Sequence, residues 1–498
     1  MFPKPRYQKK NPGWFLLSPK QSINYAQVFS EEIKPLALFW EQKWQTPLLF
    51  SSFSTFNLLL DFHLQDEQYH LSITSEQITI SAKDKQGMAY GIATFLALIK
   101  EENKQVFVEA QEIDDFPAFS YRGLMLDVAR HFFPITTIKK VIDVMAQLKL
   151  NVFHWHFSDD QGWRIESKVF PKLHENQSNF PASTKGYYSQ EEIIDLVAYA
   201  AQKNITVVPE IDLPGHAGAI LAAYPHLSHH EQLAIRTTYG IAKEIMCLGN
   251  EQLLSFLQTL IEEMISLFQP RYFHLGSDEV KLGECKKCKH CQQALKKHQL
   301  PHFLSLQTHL IKQLSQFLKS KKIIPLVWND IAGEVLDASL IIQHWKPFTW
   351  KRTALAQSRG HQIILSPFFN YYLDYPYSMT PLKKVYSYNP LLNKQIRSHA
   401  ILGLEACLWT EWIATEDKLF FHMFPRLAAL ADSAWRGFDQ KDYREFCDSL
   451  AFFEQWLERQ QIPYAKGHYQ QANIFVRILR TIKWLKNKQI EYEKQQED

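Results

Sequence analysis

The sequence predicts a (β/α)8 barrel, the TIM-barrel fold, preceded by a small α+β domain. From Tyr121 onward, short apolar runs typical of buried strands alternate with long amphipathic helical segments. Before residue 114, two short runs instead alternate apolar and polar residues, as half-buried strands do, and a helical segment follows them. Regular alternation of strands and helices indicates a parallel sheet, whereas strands followed by a helix indicate a separate α+β unit.

Three segments divide the chain: an α+β domain over residues 1–117, the barrel over 118–438 and a C-terminal helical extension over 439–498. Pro117 marks the first boundary, because the residue before a proline disfavours the helical conformation. The C-terminal segment is charged and has helical spacing. We expect it to pack on the barrel at first and to fray towards its end.

Eight strands are predicted within the barrel segment, spread over about 315 residues, which suits eight βα units. They cover residues 123–128, 151–157, 205–209, 272–276, 323–328, 340–344, 362–365 and 401–407. Local signals support the helices between them, such as the capping box predicted for Ser189 and Glu192. A doubly wound open sheet is the alternative, but no glycine-rich phosphate-binding turn follows the first strand.

Composition restricts the class of function. The net charge is only +3 and the basic residues are spread along the chain, which argues against a nucleic-acid partner. The longest nearly apolar run, residues 88–99, is too short to span a membrane. The first residues lack the apolar stretch of a signal peptide, so we expect a cytoplasmic protein. Thirteen tryptophans are a high count, and tryptophan forms stacking walls for sugar rings as well as core.

Carboxylates and aromatic side chains are concentrated at the C-terminal ends of the predicted strands, where barrel active sites lie. The fourth strand ends in Asp278 and Glu279, which reach one cleft only if the extended segment stops there. Adjacent carboxylates resist ionising together, so their surroundings must separate their pKa values. The other rim candidates are Arg122, Asp127, Arg130, His131, Asp159, Asp160, Glu210, Asp212, His216, Trp328, Trp345, Tyr372, Asp374, Trp409 and Glu411. An acid pair among aromatic and charged side chains predicts a sugar site.

A rim rich in His, Asp and Glu is also compatible with a divalent metal ion. His154 and His156 lie on one face of the second strand, and Glu210 and Asp212 lie on one face of the third. Inward-pointing groups of this kind are more often hydrogen-bonded core residues than ligands. We therefore predict neither a metal ion nor a cofactor in the site.

Eight motifs stand in order between residues 118 and 437: YRGLMLD from 121, RHF from 130, HWHFSDDQGWR from 154, DLPGH from 212, HLGSDEV from 274, YLD from 372, EACLWTE from 405 and FPRL from 424. Together they resemble the β-N-acetylhexosaminidases of glycoside hydrolase family 20. The first domain resembles the small domain that precedes the barrel in that family. The resemblance implies an exo-acting retaining hydrolase of terminal N-acetylglucosamine or N-acetylgalactosamine residues in oligosaccharides or glycoconjugates. It also implies substrate assistance, in which the 2-acetamido group attacks the anomeric carbon and forms an oxazolinium ion.

The resemblance further implies residue roles. Glu279 would be the general acid and base, Asp278 would hold the 2-acetamido group, and Tyr372 would bond to its oxygen. Glu279 then needs a pKa raised to roughly 6, while Asp278 must stay ionised. The walls around the acetamido group and the sugar face would be Trp328, Trp345 and Trp409. The sugar hydroxyl groups would be bound by Arg122, Asp374 and Glu411. Support for Glu279 would come from Asp159 and His216.

Two places depart from the family pattern. The end of the fifth strand, residues 327–330, matches it less closely, and Ser277 stands where the family usually has glycine. Serine is small, so we expect the loop to survive, but its hydroxyl group can affect Asp278.

A cysteine cluster follows the acid pair. Cys285, Cys288 and Cys291 form two overlapping C-x-x-C spacings that can chelate Zn²⁺, with Cys247 or His290 as the fourth ligand. The alternative is a set of reduced thiols on a lysine-rich loop. A disulfide is less expected in a cytoplasmic protein.

Two other functions stay open at this point: a carbohydrate-binding barrel without turnover, and a barrel enzyme that uses a divalent metal. Binding alone does not require an acid, so the presence of Asp278, Glu279 and Tyr372 together favours the hydrolase. The sequence does not decide between N-acetylglucosamine and N-acetylgalactosamine. It also leaves open the source of the substrate (chitin oligomers, peptidoglycan fragments or glycans) and the oligomeric state.

Overall fold

The computed structural model describes residues 2–175, 185–439, 441–467 and 473–497, with side chains described up to residue 488. The chain forms two compact units. One consists of Met1–Ser120 and Ala431–Trp456, and the other of Tyr121–Leu430 and Leu457–Asp498.

Residues 431–456 thus belong with the first unit, whereas the sequence predicted a separate extension from residue 439. Aromatic packing accounts for this difference. Phe2 stacks on Phe453, with ring centroids 5.7 Å apart, and meets Phe446 edge-on at 5.9 Å.

Residues 1–120 of the first unit form a mixed eight-stranded sheet and two α-helices. Its strands run in the order β1-β8-β5-β6-β4-β2-β3, and β7 pairs with β8. Every second residue of β5 and β6 is buried, which confirms the predicted alternation. The elements are β1 (Tyr7–Leu17), β2 (Ser22–Tyr25), α1 (Lys34–Trp44), β3 (Leu49–Phe50), β4 (Phe56–Leu60), β5 (Tyr69–Ile73), β6 (Ile78–Ala82), α2 (Lys85–Leu98), β7 (Lys100–Glu102) and β8 (Gln105–Asp115).

The second unit is a closed barrel of eight parallel strands, which confirms the predicted fold. The barrel strands are β9 (Tyr121–Asp127), β10 (Val152–His156), β13 (Thr206–Glu210), β14 (Tyr272–His274), β15 (Ile324–Trp328), β16 (Ile341–His344), β17 (Ile363–Leu365) and β18 (Ile401–Leu408). A short hairpin, β11 (Ser158–Asp159) and β12 (Gly162–Trp163), follows the second barrel strand. Pairing of β18 with β9 closes the ring.

Helices surround the strands, and the capping box predicted at Ser189 is present. No described helix combines the length and the apolar content that crossing a membrane requires. The helices that follow β8 along the chain are α3 (Ile135–Gln147), α4 (Lys172–Glu175), α5 (Gln190–Ala201), α6 (Gly218–Ala223), α7 (Leu253–Phe268), α8 (Gly283–Lys287), α9 (Lys289–Lys297), α10 (Phe303–Ser320), α11 (Trp350–Ser358), α12 (Phe368–Tyr371), α13 (Leu382–Tyr386), α14 (Glu416–Met423), α15 (Arg426–Arg436), α16 (Tyr443–Arg459) and α17 (Ile474–Glu497). Residues 431–456, in α15 and α16, belong to the first unit and not to the barrel unit.

The barrel interior changes from apolar to polar along the strands. Near their N-terminal ends, Val152, Val208 and Leu326 belong to one buried apolar cluster. Nearer the C-terminal ends, His156 and Glu210 are equally buried but bonded to each other. The polar half of the interior therefore lies directly beneath the rim where the predicted site residues are found.

Candidate active site

A left-handed turn after β14 presents the two adjacent acids. Gly276, Ser277 and Glu279 all have positive φ, at 58°, 82° and 49°. A Cβ atom on Gly276 would lie 1.8 Å from Oδ1 of Asp212, so only glycine fits there. The turn ends the alternation of side chains between the two faces of an extended strand. This confirms the prediction that the strand ends before the two acids.

Both acids point towards one nitrogen atom. Nε2 of His216 lies 3.8 Å from Oδ2 of Asp278 and 3.6 Å from Oε2 of Glu279. Asp278 is buried, whereas a quarter of the Glu279 side chain is exposed. One carboxylate therefore forms the floor of the cleft, and its neighbour reaches towards solvent.

The hydroxyl group of Ser277 is held away from this chemistry. Nε2 of Gln307, on α10, donates to Oγ of Ser277 at 2.8 Å and to its carbonyl oxygen at 3.0 Å. The backbone N–H of Ser277 donates to Oδ1 of Asp212. The hydroxyl group of the serine that replaces the usual glycine is thus bonded to the neighbouring helix.

Asp159 and His216 form the supporting pair that the resemblance implied. Oδ1 of Asp159 lies 3.1 Å from Nδ1 of His216, while Oδ2 lies 2.7 Å from Arg130 and 2.9 Å from Nε2 of His156. Burial alone would raise the pKa of Asp159, but Arg130 and His216 hold it well below its ordinary value. Burial would likewise lower the pKa of His216, but Asp159 outweighs burial and raises it well above 6.5. The imidazolium form of His216 is therefore favoured, and its Nε2 lies towards both acids.

The protonation preferences of the acids are the reverse of those expected from the sequence. Burial raises the pKa of Asp278 to about 7; His216 opposes this shift, and Asp330 and Glu279 reinforce it. For Glu279, burial is outweighed by His216 and Lys346, which bring its pKa below its ordinary value. In this structure the two pKa shifts thus run opposite to those that a protonated Glu279 beside an ionised Asp278 requires, and that expectation stays a prediction for the complex with substrate.

Three tryptophans and a tyrosine form an aromatic pocket beside the acids. The ring of Tyr372 lies nearly parallel to that of Trp345, with centroids 6.1 Å apart, and 6.2 Å from that of Trp409. Trp328 lies 6.1 Å from Trp409 and belongs to the same buried cluster as Tyr372. The structure brings the three predicted wall residues together with Tyr372, which was predicted to bond to the acetamido oxygen.

Two carboxylates orient these rings. Nε1 of Trp328 donates to Oε1 of Glu210 at 2.9 Å, and Nε1 of Trp345 donates to Oδ2 of Asp330 at 2.9 Å. The other oxygen of Asp330 accepts from Nζ of Lys346 at 2.8 Å. Because Lys346 also acts on Glu279, Asp330 connects the aromatic wall to the acid pair.

Two further carboxylates occupy the opposite side of the rim. Burial and the neighbouring Glu411 raise the pKa of Asp374 to about 8. Burial also raises the pKa of Glu411, against the influence of Arg130. The guanidinium carbon of Arg130 lies 5.0 Å from the ring centre of Trp409. A cation and two acids of high proton affinity are well suited to bind sugar hydroxyl groups.

Arg122 is not part of this rim, and the prediction that it binds a hydroxyl group is wrong. It is the second residue of β9, fully buried, and its Nε donates to the carbonyl oxygen of Lys149 at 2.8 Å. Lys149 precedes β10, so this contact lies at the N-terminal end of the barrel. Arg130, three residues after β9 ends at Asp127, is the arginine that reaches the rim.

Several groups in the described part of the barrel have the residue types and spacing for a metal ion, among them His154 with Glu210 and His274, and His216 with Asp278 and Glu279. In the interior, Nδ1 of His154 lies 2.9 Å from Glu405, and Nδ1 of His156 lies 2.5 Å from Glu210. These donor atoms already face one another as imidazole–carboxylate hydrogen bonds. The interior groups therefore form a network of hydrogen bonds in the barrel core.

Sequence reasoning missed the C-terminal helix as a neighbour of the rim. Trp484 of α17 meets Tyr375, the residue after Asp374, with ring centroids 5.7 Å apart. Nζ of Lys488 lies 5.1 Å from the ring centre of Trp412. Nothing in the local sequence pattern relates this helix to strand ends so far away in the chain.

Comparisons with known proteins agree with this geometry. Residues 119–438 match the family described as glycosyl hydrolase family 20, catalytic domain, and residues 1–116 match domain 2 of the same family. A beta-hexosaminidase of Porphyromonas gingivalis is 35% identical over 414 residues, which cover 78% of this chain and 53% of that protein. A beta-hexosaminidase of Vibrio furnissii is 32% identical, covering 76% of this chain and 66% of that protein. This chain thus spans about half the length of the first relative and about two thirds of the second.

Solved structures show the same architecture. The exo β-N-acetylglucosaminidase of Vibrio harveyi, in complex with N-acetylglucosamine, has a TM-score of 0.84 at 27% identity and covers 94% of this chain and 78% of that chain. The β-N-acetylhexosaminidase of Bacteroides fragilis has a TM-score of 0.83 at 29% identity and covers 95% of this chain and 98% of that chain.

Proposed function

This chain belongs to glycosyl hydrolase family 20, and we propose that it is an exo-acting, retaining β-N-acetylhexosaminidase. Its substrates would be oligosaccharides or glycoconjugates that end in β-linked N-acetylglucosamine or N-acetylgalactosamine. The observation that carries this proposal is the convergence of Asp278 and Glu279 on one cleft beside a pocket walled by aromatic rings.

The reaction proceeds in two steps, and the substrate supplies the nucleophile. First, the 2-acetamido oxygen attacks the anomeric carbon while Glu279 protonates the departing glycosidic oxygen. Asp278 accepts a hydrogen bond from the acetamido N–H and balances the positive charge of the oxazolinium ion. Glu279, now ionised, then takes a proton from a water molecule that attacks the same carbon. The bond between this carbon and the acetamido oxygen breaks, the acetamido group is restored, and the β configuration is retained.

The protonation states in this structure suit a pair that shares one proton. The pKa shifts favour Asp278 as the holder of that proton before substrate binds, because burial raises its pKa to about 7 while His216 lowers that of Glu279. A bound acetamido N–H favours the ionised form of Asp278, and displacement of water disfavours the ionised form of the partly exposed Glu279. Substrate binding therefore moves the proton to the residue that must donate it.

The remaining side chains bind the terminal sugar. Tyr372 donates to the acetamido oxygen, and the tryptophan rings exclude water from the oxazolinium ion. Arg130, together with Asp374 and Glu411, binds the ring hydroxyl groups, because these three side chains face the same side of the rim.

The decisive experiment measures hydrolysis of aryl β-N-acetylglucosaminides and β-N-acetylgalactosaminides by the wild-type protein and by Glu279→Gln. Glu251→Gln, the same change at a group without burial, is the matched control. We expect Glu279→Gln alone to lose about 100-fold or more in kcat, least for the best leaving groups. A thiazoline analogue of the oxazolinium ion should inhibit competitively, and the first product should be the β anomer. An α anomer, or no thiazoline inhibition, would refute substrate assistance.

A further inference from the structure

Four metal-binding side chains converge beneath the loop that follows the acid pair. Sγ of Cys247 lies 3.7 Å from Sγ of Cys288 and 3.8 Å from Sγ of Cys291. Nε2 of His229 lies 3.5 Å from Sγ of Cys291. These four donor atoms all lie within 4.8 Å of one another, although three separate stretches of chain supply them.

We propose that Cys247, Cys288, Cys291 and His229 bind a structural Zn²⁺ ion. Zinc bonds to sulfur are about 2.3 Å long and bonds to imidazole nitrogen about 2.0–2.1 Å, so a tetrahedral site has sulfur–sulfur edges of about 3.8 Å and sulfur–nitrogen edges of about 3.6 Å. The two sulfur–sulfur distances of 3.7 and 3.8 Å and the sulfur–nitrogen distance of 3.5 Å match these edges. A Cys3His set with four protein ligands is a closed site that leaves no position for a substrate.

The surroundings are those of a structural site. Cys247 and Cys291 are buried within an apolar cluster that includes Ile245 and Leu306. Gly249 allows the close approach of the segments, because a Cβ atom there would lie 2.2 Å from the backbone carbon of His290. The glycosidase reaction uses none of these groups. Three thiols and an imidazole brought together in an apolar setting have the chemistry of a zinc site rather than that of a catalytic centre.

The donor set includes Cys247, one of the two candidates for the fourth ligand, but it has His229 in place of Cys285. Cys285 is buried nearby but is not among the four converging donors, and His290 is not among them either. His229 comes from the irregular stretch after α6, and Cys247 N–H donates to the carbonyl oxygen of Leu227 two residues before it. This contact positions the histidine against the C-x-x-C pair of Cys288 and Cys291.

The ion would join the two segments that carry the catalytic groups. The N–H of Met246 donates to the carbonyl oxygen of Pro214, two residues before His216. Val280, directly after Glu279, packs on the cysteine cluster. Zinc therefore braces the backbone behind His216 and behind Glu279 while remaining outside the cleft.

The test is metal analysis of the full-length protein, purified without chelators from cells grown with zinc. We expect one Zn²⁺ per chain, and a loss of about tenfold or more in metal content for Cys288→Ser and His229→Ala. Cys447→Ser and Cys285→Ala are matched controls that should keep the metal, since Cys447 lies on α16 and Cys285 lies outside the four-donor group. Replacement of zinc by Co²⁺ should give the intense visible absorption of a tetrahedral thiolate site.

Chelation of the wild-type protein covers the case in which a ligand variant does not fold. Zinc should then be released together with a fall in Tm, and added Zn²⁺ should restore both. Absence of zinc together with absence of a Co²⁺ spectrum would overturn the proposal, as would full metal content in Cys288→Ser. Zinc retained by His229→Ala but lost by Cys285→Ala would overturn the assignment of His229.

Discussion

Replacing Asp278 with asparagine should move the alkaline limb of the kcat/KM profile to lower pH by more than about two units. In the wild-type protein the two acids together carry one proton over a range of pH. This range extends from the pKa of Glu279, which lies below its ordinary value of 4.5, to that of Asp278, about 7. Above pH 7, Asp278 loses this proton and the pair has none to deliver, so kcat/KM falls tenfold per pH unit. Below the pKa of Glu279, the pair carries a second proton and kcat/KM falls again.

Asparagine cannot carry that proton, so in the variant the alkaline limb follows Glu279 alone. At pH 6 the protonated fraction of a group with pKa 4.5 or lower is about one thirtieth or less. This loss adds to the loss of the hydrogen bond to the acetamido group. Aryl β-N-acetylglucosaminide hydrolysis from about pH 4 to 9 measures both effects, because kcat/KM reports the titration of the free enzyme.

Asp374→Asn is the control for this experiment, since burial and Glu411 raise the pKa of Asp374 to about 8 and its titration would give a similar limb. We expect Asp374→Asn to lower kcat/KM while the limb near pH 7 stays in place. A limb near pH 7 in Asp278→Asn, or its disappearance in Asp374→Asn, would refute the shared-proton argument.

Three further predictions concern binding and stability. Arg130→Lys should reduce kcat/KM by about 30-fold or more because it loses a planar, bidentate donor. Arg122→Met should instead reduce the free energy of unfolding by about 1–3 kcal/mol and leave kcat/KM nearly unchanged. Kinetics and urea unfolding separate the two effects, and the opposite pattern would restore Arg122 to the site. Trp328→Phe should raise KM and weaken thiazoline binding by about tenfold, since it removes part of the acetamido wall and the indole N–H. Unchanged inhibition by the thiazoline would exclude Trp328 from that wall. Ser277→Gly should change the free energy of unfolding by less than about 1 kcal/mol, because relief of the strain of a left-handed serine backbone offsets loss of the hydrogen bond from Gln307. A loss of more than about 2 kcal/mol in calorimetry would contradict that balance.

The barrel could be predicted from the sequence because its signal is local and repeated. Each strand and helix carries its own periodicity, so eight units were recognisable without knowledge of their contacts. The convergence of Asp278 and Glu279 was also predictable, since it follows from the geometry of any strand that ends before them. Both conclusions needed only residues close together in the chain.

The errors concern relations that only the fold determines. Arg122 and Arg130 both belong to motifs around the first strand, but the end of the barrel that each faces depends on the strand ending at Asp127. The pKa order of the acid pair depends on His216 and Lys346, both more than sixty residues away in the chain. His229 lies in an irregular loop with no ligand spacing of its own, so its approach to the cysteines could not be seen.

The hydrogen bonds of Glu210 have a consequence for variation at this site. Burial would lower the pKa of His156, but Glu210 and Asp159 raise it to about 10, so an imidazolium ring lies between two carboxylates inside the barrel. Removing one partner of such a buried pair costs about 3–5 kcal/mol, because the other charge is left uncompensated. Glu210 also fixes Trp328 and therefore the acetamido wall. Most single substitutions at these residues should therefore destabilise the protein and appear inactive in a screen, whatever their effect on catalysis. A library designed for new specificity has to vary Glu210, His156 and Trp328 together.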